Sequence, residues 1–234
     1  MSDEIPTEEA PERLVFDPEE RRVLGVLIEK GLTTPQQYPM SLSAITTGCN
    51  QKSNRDPITN YHEDQVEETL DRLQAMGLVS HFYPGEGGRV HRWRQNLGSK
   101  HELRRASISI VGELLLRGAQ TEGELRQRAS RMEPIDSRDA LLEVVRELSE
   151  GRPRFVVRLT AEGISRGVRY THACYEDGEM KAVLEAEASG AAARPSPSAP
   201  RPAAAPGELA ELKQRLEDVE ARLARLEAAL GGEA

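Results

Sequence analysis

Apolar positions recur at helical spacing early in the chain, and the same pattern returns further on. Val23, Leu24, Leu27 and Ile28 form one face of a helix that Gly31 is expected to end. Asp17-Pro18-Glu19-Glu20 opens it. Asp17 can cap, Pro18 suits a first position whose N–H has no intrahelical partner, and Glu20 completes a capping box. A polar stretch follows, Thr33 to Pro57, with one short helix from Ser41 to Thr47. Asn60-Tyr61-His62-Glu63 reads as a second capping box, before a helix with Val66, Leu70 and Leu73 on one face and Gly77 at its end. Leu78 to Tyr83 and Arg89 to Arg94 read as strands joined by a turn over Pro84 to Gly88. Helix, helix, helix, hairpin is the plan of a winged helix-turn-helix.

The plan repeats. Val23-Leu24-Gly25 and Lys30-Gly31 recur 87 positions later as Ile110-Val111-Gly112 and Arg117-Gly118. Thr121 to Glu124 is a capping box for a short helix reaching about Arg131, and a third helix follows Asp136. Its face of Leu141, Val145 and Leu148 matches Val66, Leu70 and Leu73 at an offset of 75. The first copy therefore holds twelve extra residues between its first and third helices. The second hairpin runs Phe155 to Leu159, turns around Gly163 to Gly167 and returns over Arg169 to Tyr175. A copy of about 75 residues has a marginal core, so the two copies are expected to pack together.

The expected organisation is a disordered acidic tail over 1–15, winged-helix domains over 16–98 and 99–178, an Ala/Pro-rich linker over 179–207 and a coiled coil over 208–231. The fold class is mainly α with small antiparallel β wings, a tandem winged helix-turn-helix plus a C-terminal coiled-coil helix. In that last segment Leu209, Leu212, Leu216, Val219, Leu223, Leu226 and Leu230 alternate three and four apart, a heptad seam. Glu208 with Lys213, Arg215 with Glu220, and Arg222 with Glu227 attract across a parallel pair, so a parallel homodimer is expected.

Charge changes this picture in one respect. The net −8 belongs to the ends: residues 1–20 carry −7 and residues 176–234 carry −5, leaving +4 on 21–175. The body is mildly basic, which keeps nucleic acid among its possible partners. Cys49 and Cys174 have no neighbouring cysteine or metal-type spacing, and no apolar run reaches the roughly 18 residues of a membrane span. A cytoplasmic protein with reduced thiols is expected, with no membrane partner.

Residues 16–175 resemble the YceH family of bacterial proteins. The strings that carry the resemblance are LIEKGLTTPQQYPMSLSAITTGCNQKSNRDP at 27–57, LLLRGAQTEGELRQRASRM at 114–132, and FVVRL at 155–159 with RYTH at 169–172. The resemblance implies a tandem of winged-helix domains. It implies no activity, ligand or catalytic residue, and the linker and heptads stand outside it.

No constellation of catalytic residues has a plausible context, so the chain is expected to be a non-enzyme without cofactor or metal. Gly163-Ile164-Ser165-Arg166-Gly167 matches G-x-S-x-G, but a nucleophile elbow needs a strand-to-helix turn on a parallel sheet, and this motif falls in a hairpin turn. His62-Glu63-Asp64 are adjacent on a helix and point in different directions. The basic residues are the better candidates. Arg89, Arg92 and Arg94 lie on the first wing, Arg158, Arg166 and Arg169 on the second, and Lys52 and Arg55 in a donor-rich loop. Arginines on hairpins suit phosphate contact with little sequence reading. The alternative is that they pair with the chain's own acidic groups. The third helix of the first copy carries Glu63, Asp64, Glu67, Glu68 and Asp71 against Arg72 alone, which opposes groove docking. The leading expectation is a dimeric, DNA-associated regulatory protein. The competing one is a protein–protein adaptor with the acidic third helix as contact surface.

Overall fold

The computed structural model describes residues 13–82 and 91–189. The first half runs α1 (Pro18–Thr33), β1 (Met40–Ser41), α2 (Leu42–Cys49), α3 (Glu63–Ala75), β2 (Val79–Phe82) and β3 (Arg92–Gln95). A short helix, α4 (Leu97–Lys100), leads into the second half: α5 (Arg105–Arg117), β4 (Gln120–Thr121), α6 (Glu122–Ala129), α7 (Arg138–Glu150), β5 (Val156–Arg158) and β6 (Arg169–His172). A last helix, α8 (Asp177–Ala188), closes the described chain. The described residues are mainly helical with two small antiparallel sheets, ordered β1-β3-β2 and β4-β6-β5.

Helices α1 and α6 start where their capping chemistry predicts. Asp17 accepts from Glu20 N at 2.8 Å while Glu20 reaches back to Asp17 N at 3.0 Å. Thr121 and Glu124 make the same reciprocal pair. The cap of α3 falls later than the sequence suggests: His62, not Asn60, precedes the helix, and its N–H donates to Gln65. The central strands carry equivalent registers, Val79 opposite Gln95 and Val156 opposite His172. The two hairpin strands of the second sheet, β5 and β6, sit 77 residues after β2 and β3, so the hairpins have equal length. The outer strands β1 and β4 go unseen in the sequence, because two residues are too few to show a period of two.

The twelve extra residues of the first half divide in two. Between Gly31 and Met40 the first half is seven residues longer than the second between Gly118 and Gln120. The other five lie between the end of α2 and the start of α3. The first insertion explains why Gly31 does not end its helix. Gly118 adopts φ +67° and terminates α5, whereas α1 continues to Thr33 with the Tyr38 ring packed over Gly31.

One apolar cluster runs through both halves, with α1 and α5 at its centre. The helices approach closely at Gly25 and Gly112, the pair of glycines 87 residues apart. A Cβ on Gly25 would lie 2.9 Å from Leu116, and one on Gly112 would lie 2.5 Å from Ile28. Neither half can therefore be stripped from the other without exposing its core.

Two expected boundaries shift. The tail was expected to be disordered through residue 15, yet Arg13 bonds Asp177 and the Tyr175 carbonyl, and Leu14 packs on the core. The linker was expected from residue 179, yet α8 extends to Ala188. That helix has no buried residue. Arg21 holds Glu179 with two bonds of 2.8 and 2.7 Å, and Arg169 holds Glu187 at 3.1 Å. Local composition reads as linker; the partners that order it lie far away in sequence. The coiled-coil residues Leu209 to Leu230 lie outside the described residues, as do Arg89 and most of the first wing's turn.

Candidate functional site

The polar loop after α2 is a clamp rather than a free donor array. The side chain of Arg55 is fully buried and grips Glu29 at 2.7 Å through Nη2 and 3.3 Å through Nη1. Its Nε donates to the Gly48 carbonyl, which ends α2. Burial alone would raise the Glu29 carboxyl; the Arg55 hydrogen bonds and charge outweigh it and hold the group below its ordinary value. Asn50 forms a two-way pair with the backbone of Tyr61. Asp56 N donates to the Leu116 carbonyl in the last turn of α5, and Asn54 accepts from Arg117 and Arg131. The loop thus ties the first half to the end of the second half's first helix. Arg55 is corrected from a binding residue to a buried anchor, while Lys52 and Ser53 stand exposed at the loop.

Most wing arginines are already engaged. Arg92 donates to the Pro39 carbonyl at 2.9 Å. Arg158 donates to the Ile164 carbonyl of its own turn at 2.6 Å, and Arg169 pairs with Glu187 and the Ala119 carbonyl. Beyond the first wing, Arg104 pairs with Glu147 and Arg105 with Glu133. Arg94 is exposed with one bond to Ser80, and Arg166 is exposed in the second turn. The structure does not gather the seven described candidate cations into one surface: Arg55 is inside, Arg158 bonds its own turn, and Arg169 is held by Glu187 and the Ala119 carbonyl.

The acidic groups of α3 behave differently. Glu63, Asp64, Glu67, Glu68 and Asp71 are all exposed, while Val66, Thr69, Leu70 and Leu73 face the core. Arg72 turns away from them to Asp17, Glu19 and Glu20 at 3.0, 3.3 and 3.2 Å. The solvent side of α3 is left with five carboxylates and no cation among them. In α7 the balance is milder, with Arg146 exposed and Arg138 paired to Glu122.

The candidate nucleophiles divide between an exposed serine and two buried thiols. Ser165 lies exposed in the second turn. Cys49 and Cys174 are buried, and burial pushes both thiols up to about 12. His172 is buried beside Arg21; desolvation lowers it to about 3, with that guanidinium adding to the shift. Its Nδ1 accepts from Cys174 N, as a neutral imidazole must. No group of three or more His, Cys, Asp or Glu able to hold a metal occurs among the described residues. No helix among them is long and apolar enough to cross a membrane.

A cleft of about 420 Å³ escapes sequence reading. It lies between the end of α1, the inserted 3-10 turn Pro35–Gln37 and α2, and Lys30, Thr34, Gln37, Ser43, Thr47 and Gln51 contribute its polar lining. Its one visible trace is the spacing of small residues, Ala44 and Gly48, on α2.

Comparison with known proteins gives the family of the chain. A UPF0502 protein of Geotalea daltonii is 48% identical over 151 residues, covering 64% of this chain and 68% of its own. A UPF0502 protein of Pectobacterium atrosepticum is 40% identical over 211 residues, covering 86% of this chain and 96% of its own. The UPF0502 protein YceH of Salmonella newport is 40% identical over 214 residues, covering 87% and 95%. A match over 86% of the chain is longer than residues 1–178 together, so the likeness continues into the C-terminal part that sequence reading set outside the family. The family described as "Protein of unknown function, DUF480" matches residues 16–165. The chain belongs to this family, with YceH among its relatives.

Proposed function

We propose that the chain is a non-enzymatic adaptor: a tandem of winged helix-turn-helix units that binds a protein partner of basic surface through α3. The element order of each half, helix, strand, helix, helix, strand, strand, supports the winged-helix reading. The carrying observation is the solvent face of α3. In a helix-turn-helix this helix normally enters the major groove, where five exposed carboxylates would meet phosphates and be repelled. The same face complements a cationic protein surface. The C-terminal heptads would present the bodies in pairs, raising avidity through effective concentration. The setting is the cytoplasm.

A second reading, DNA association, draws on Arg94, Arg166 and Lys52, which are exposed, and on the +4 of residues 21–175. One experiment separates the two. Capture from native lysate is compared for the natural chain, for Glu63→Gln with Glu67→Gln and Asp71→Asn, and for Arg94→Ala with Arg166→Ala, each with and without nuclease. The adaptor reading expects a partner that survives nuclease and is lost with the α3 changes. A partner lost on nuclease treatment and with the arginine changes, but indifferent to α3, replaces it with the DNA reading.

A further inference from the structure

The internal repeat offers a control for the cleft of the first half. Met40, Ala44 and Gly48 occupy the positions of Gln120, Glu124 and Arg128, 80 residues on. In the second half those side chains fill the space themselves: Arg128 bonds Gln120 at 2.8 Å and Glu124 at 3.3 Å. In the first half the Met40 thioether is buried in the core, the Gly48 hydrogen gives way to Val26, whose Cγ1 lies 2.7 Å from where a Cβ would stand, and only the Ala44 methyl stands at the place of Glu124, while the seven inserted residues raise a wall that the second half lacks. The result is an open, polar volume of about 420 Å³, within the roughly 300–1,000 Å³ of small-molecule sites.

The charges differ in the same way. Lys30 corresponds to Arg117, and Arg117 has a carboxylate of its own, Glu113 at 3.1 Å. At the position of Glu113 the first half has Val26. The one carboxylate within 4 Å of Lys30 among the described residues is Glu29, at 3.6 Å. Both oxygens of Glu29 are already held by Arg55. The Lys30 ammonium, with its side chain only 22% exposed, therefore shares its carboxylate with Arg55, so two cations face a single negative charge there.

We infer that this cleft binds a small polyhydroxylated anion, a carboxylated or phosphorylated polyol. Lys30 would take the anionic oxygen. Gln51 accepts from Arg55 through Oε1 at 2.9 Å, which leaves its NH₂ as a second donor. Thr34 and Thr47 spend their hydroxyl protons on the Lys30 and Ser43 carbonyls, at 3.2 and 2.9 Å, so their oxygens offer lone pairs. Acceptors of that kind call for O–H donors on the ligand. The inference is independent of α3, so its failure leaves the adaptor reading standing.

The full chain is titrated with gluconate, with glucose 6-phosphate and with glucose by calorimetry, and amide shifts are followed by NMR. Saturable binding of at least one acid is expected, with shifts at Thr34, Ser43 and Thr47 and none from glucose. Lys30→Gln should weaken it about tenfold or more, the worth of one charged hydrogen bond. Ala44→Glu, which supplies the carboxylate the second half has, should abolish it, and Arg94→Ala should leave it unchanged. Either variant decides if the other fails to fold. The inference is overturned if neither acid saturates, if glucose binds as well as the acids, or if the cleft variants bind like the natural chain.

Discussion

Ile28 and Gly112 touch across the crossing of α1 and α5, with Ile28 Cγ2 only 2.5 Å from where a Cβ on residue 112 would stand. Ile28 is β-branched and fully enclosed, so it has little room to yield. Gly112→Ala should destabilise the chain by about 1–3 kcal/mol through overpacking. Gly25→Ala should cost less, because the neighbour there is the more pliable end of Leu116. Urea denaturation of both variants checks the ranking; equal, negligible losses would mean that the helices can part without penalty.

Arg55 and Lys52 should separate cleanly. Arg55→Ala leaves Glu29 largely buried without its partner, a loss of about 3–5 kcal/mol. Lys52→Ala, at an exposed position, should stay within about 0.5 kcal/mol. The depressed Glu29 adds a pH signature. Its contribution is present above the ordinary carboxyl range and fades as pH falls through its folded-state value. Melting temperatures at neutral pH, and an acid titration of stability, test both statements.

His172 should make the fold acid-sensitive earlier than its carboxylates do. Its folded-state value near 3 lies below the ordinary 6.5, so the unfolded chain binds the proton first. Stability should be flat above pH 6.5 and fall below it, by about 1.4 kcal/mol at pH 5.5 for this one group. His172→Gln should flatten that limb. Denaturation curves at pH 7.5 and 5.5 provide the readout.

The anchoring of α8 should be salt-sensitive. The helix buries no residue and is held by Arg13–Asp177, Arg21–Glu179 and Arg169–Glu187. Screening weakens such partly exposed pairs. Hydrogen exchange over 177–188 should accelerate between low and high salt while α5 stays protected, and Glu179→Gln with Glu187→Gln should reproduce the fast exchange at low salt. Exchange indifferent to both would place the helix's stability elsewhere.

Assembly should reside in the C-terminal heptads. Light scattering should give a dimer for the full chain and a monomer for a chain stopped at Gly207. A dimeric truncated chain would move the contact into the helical body.

What the sequence makes legible here is whatever local chemistry decides. Asp17 with Glu20 and Thr121 with Glu124 mark helix starts, and the recurrence of Gly25 as Gly112 exposes the repeat. What it hides depends on partners far along the chain. Nothing near Arg55 says that Glu29, 26 residues earlier, will enclose its charge. Nothing in the Ala- and Glu-rich run after Asp177 says that Arg21 will fix it, 158 residues away. Arg169 misleads for the same reason, reading as a free cation until folding brings Glu187 to it, while Arg158 misleads because its partner is a backbone carbonyl of its own turn, Ile164, which no residue type announces. The cleft is hidden because it exists by subtraction, where Ala44 stands at the position that the larger Glu124 holds in the second half.

The glycine crossing of α1 and α5 also bears on how such a protein can be inherited. Each half leaves its first helix's inner face to be covered by the other, and the clamp loop stitches across the same seam. A recombination breakpoint between the halves would deliver two fragments that each lack their complement. The cassette that can travel between genes intact is the pair, and variation that adds new roles has to accumulate on its surface or beyond its ends.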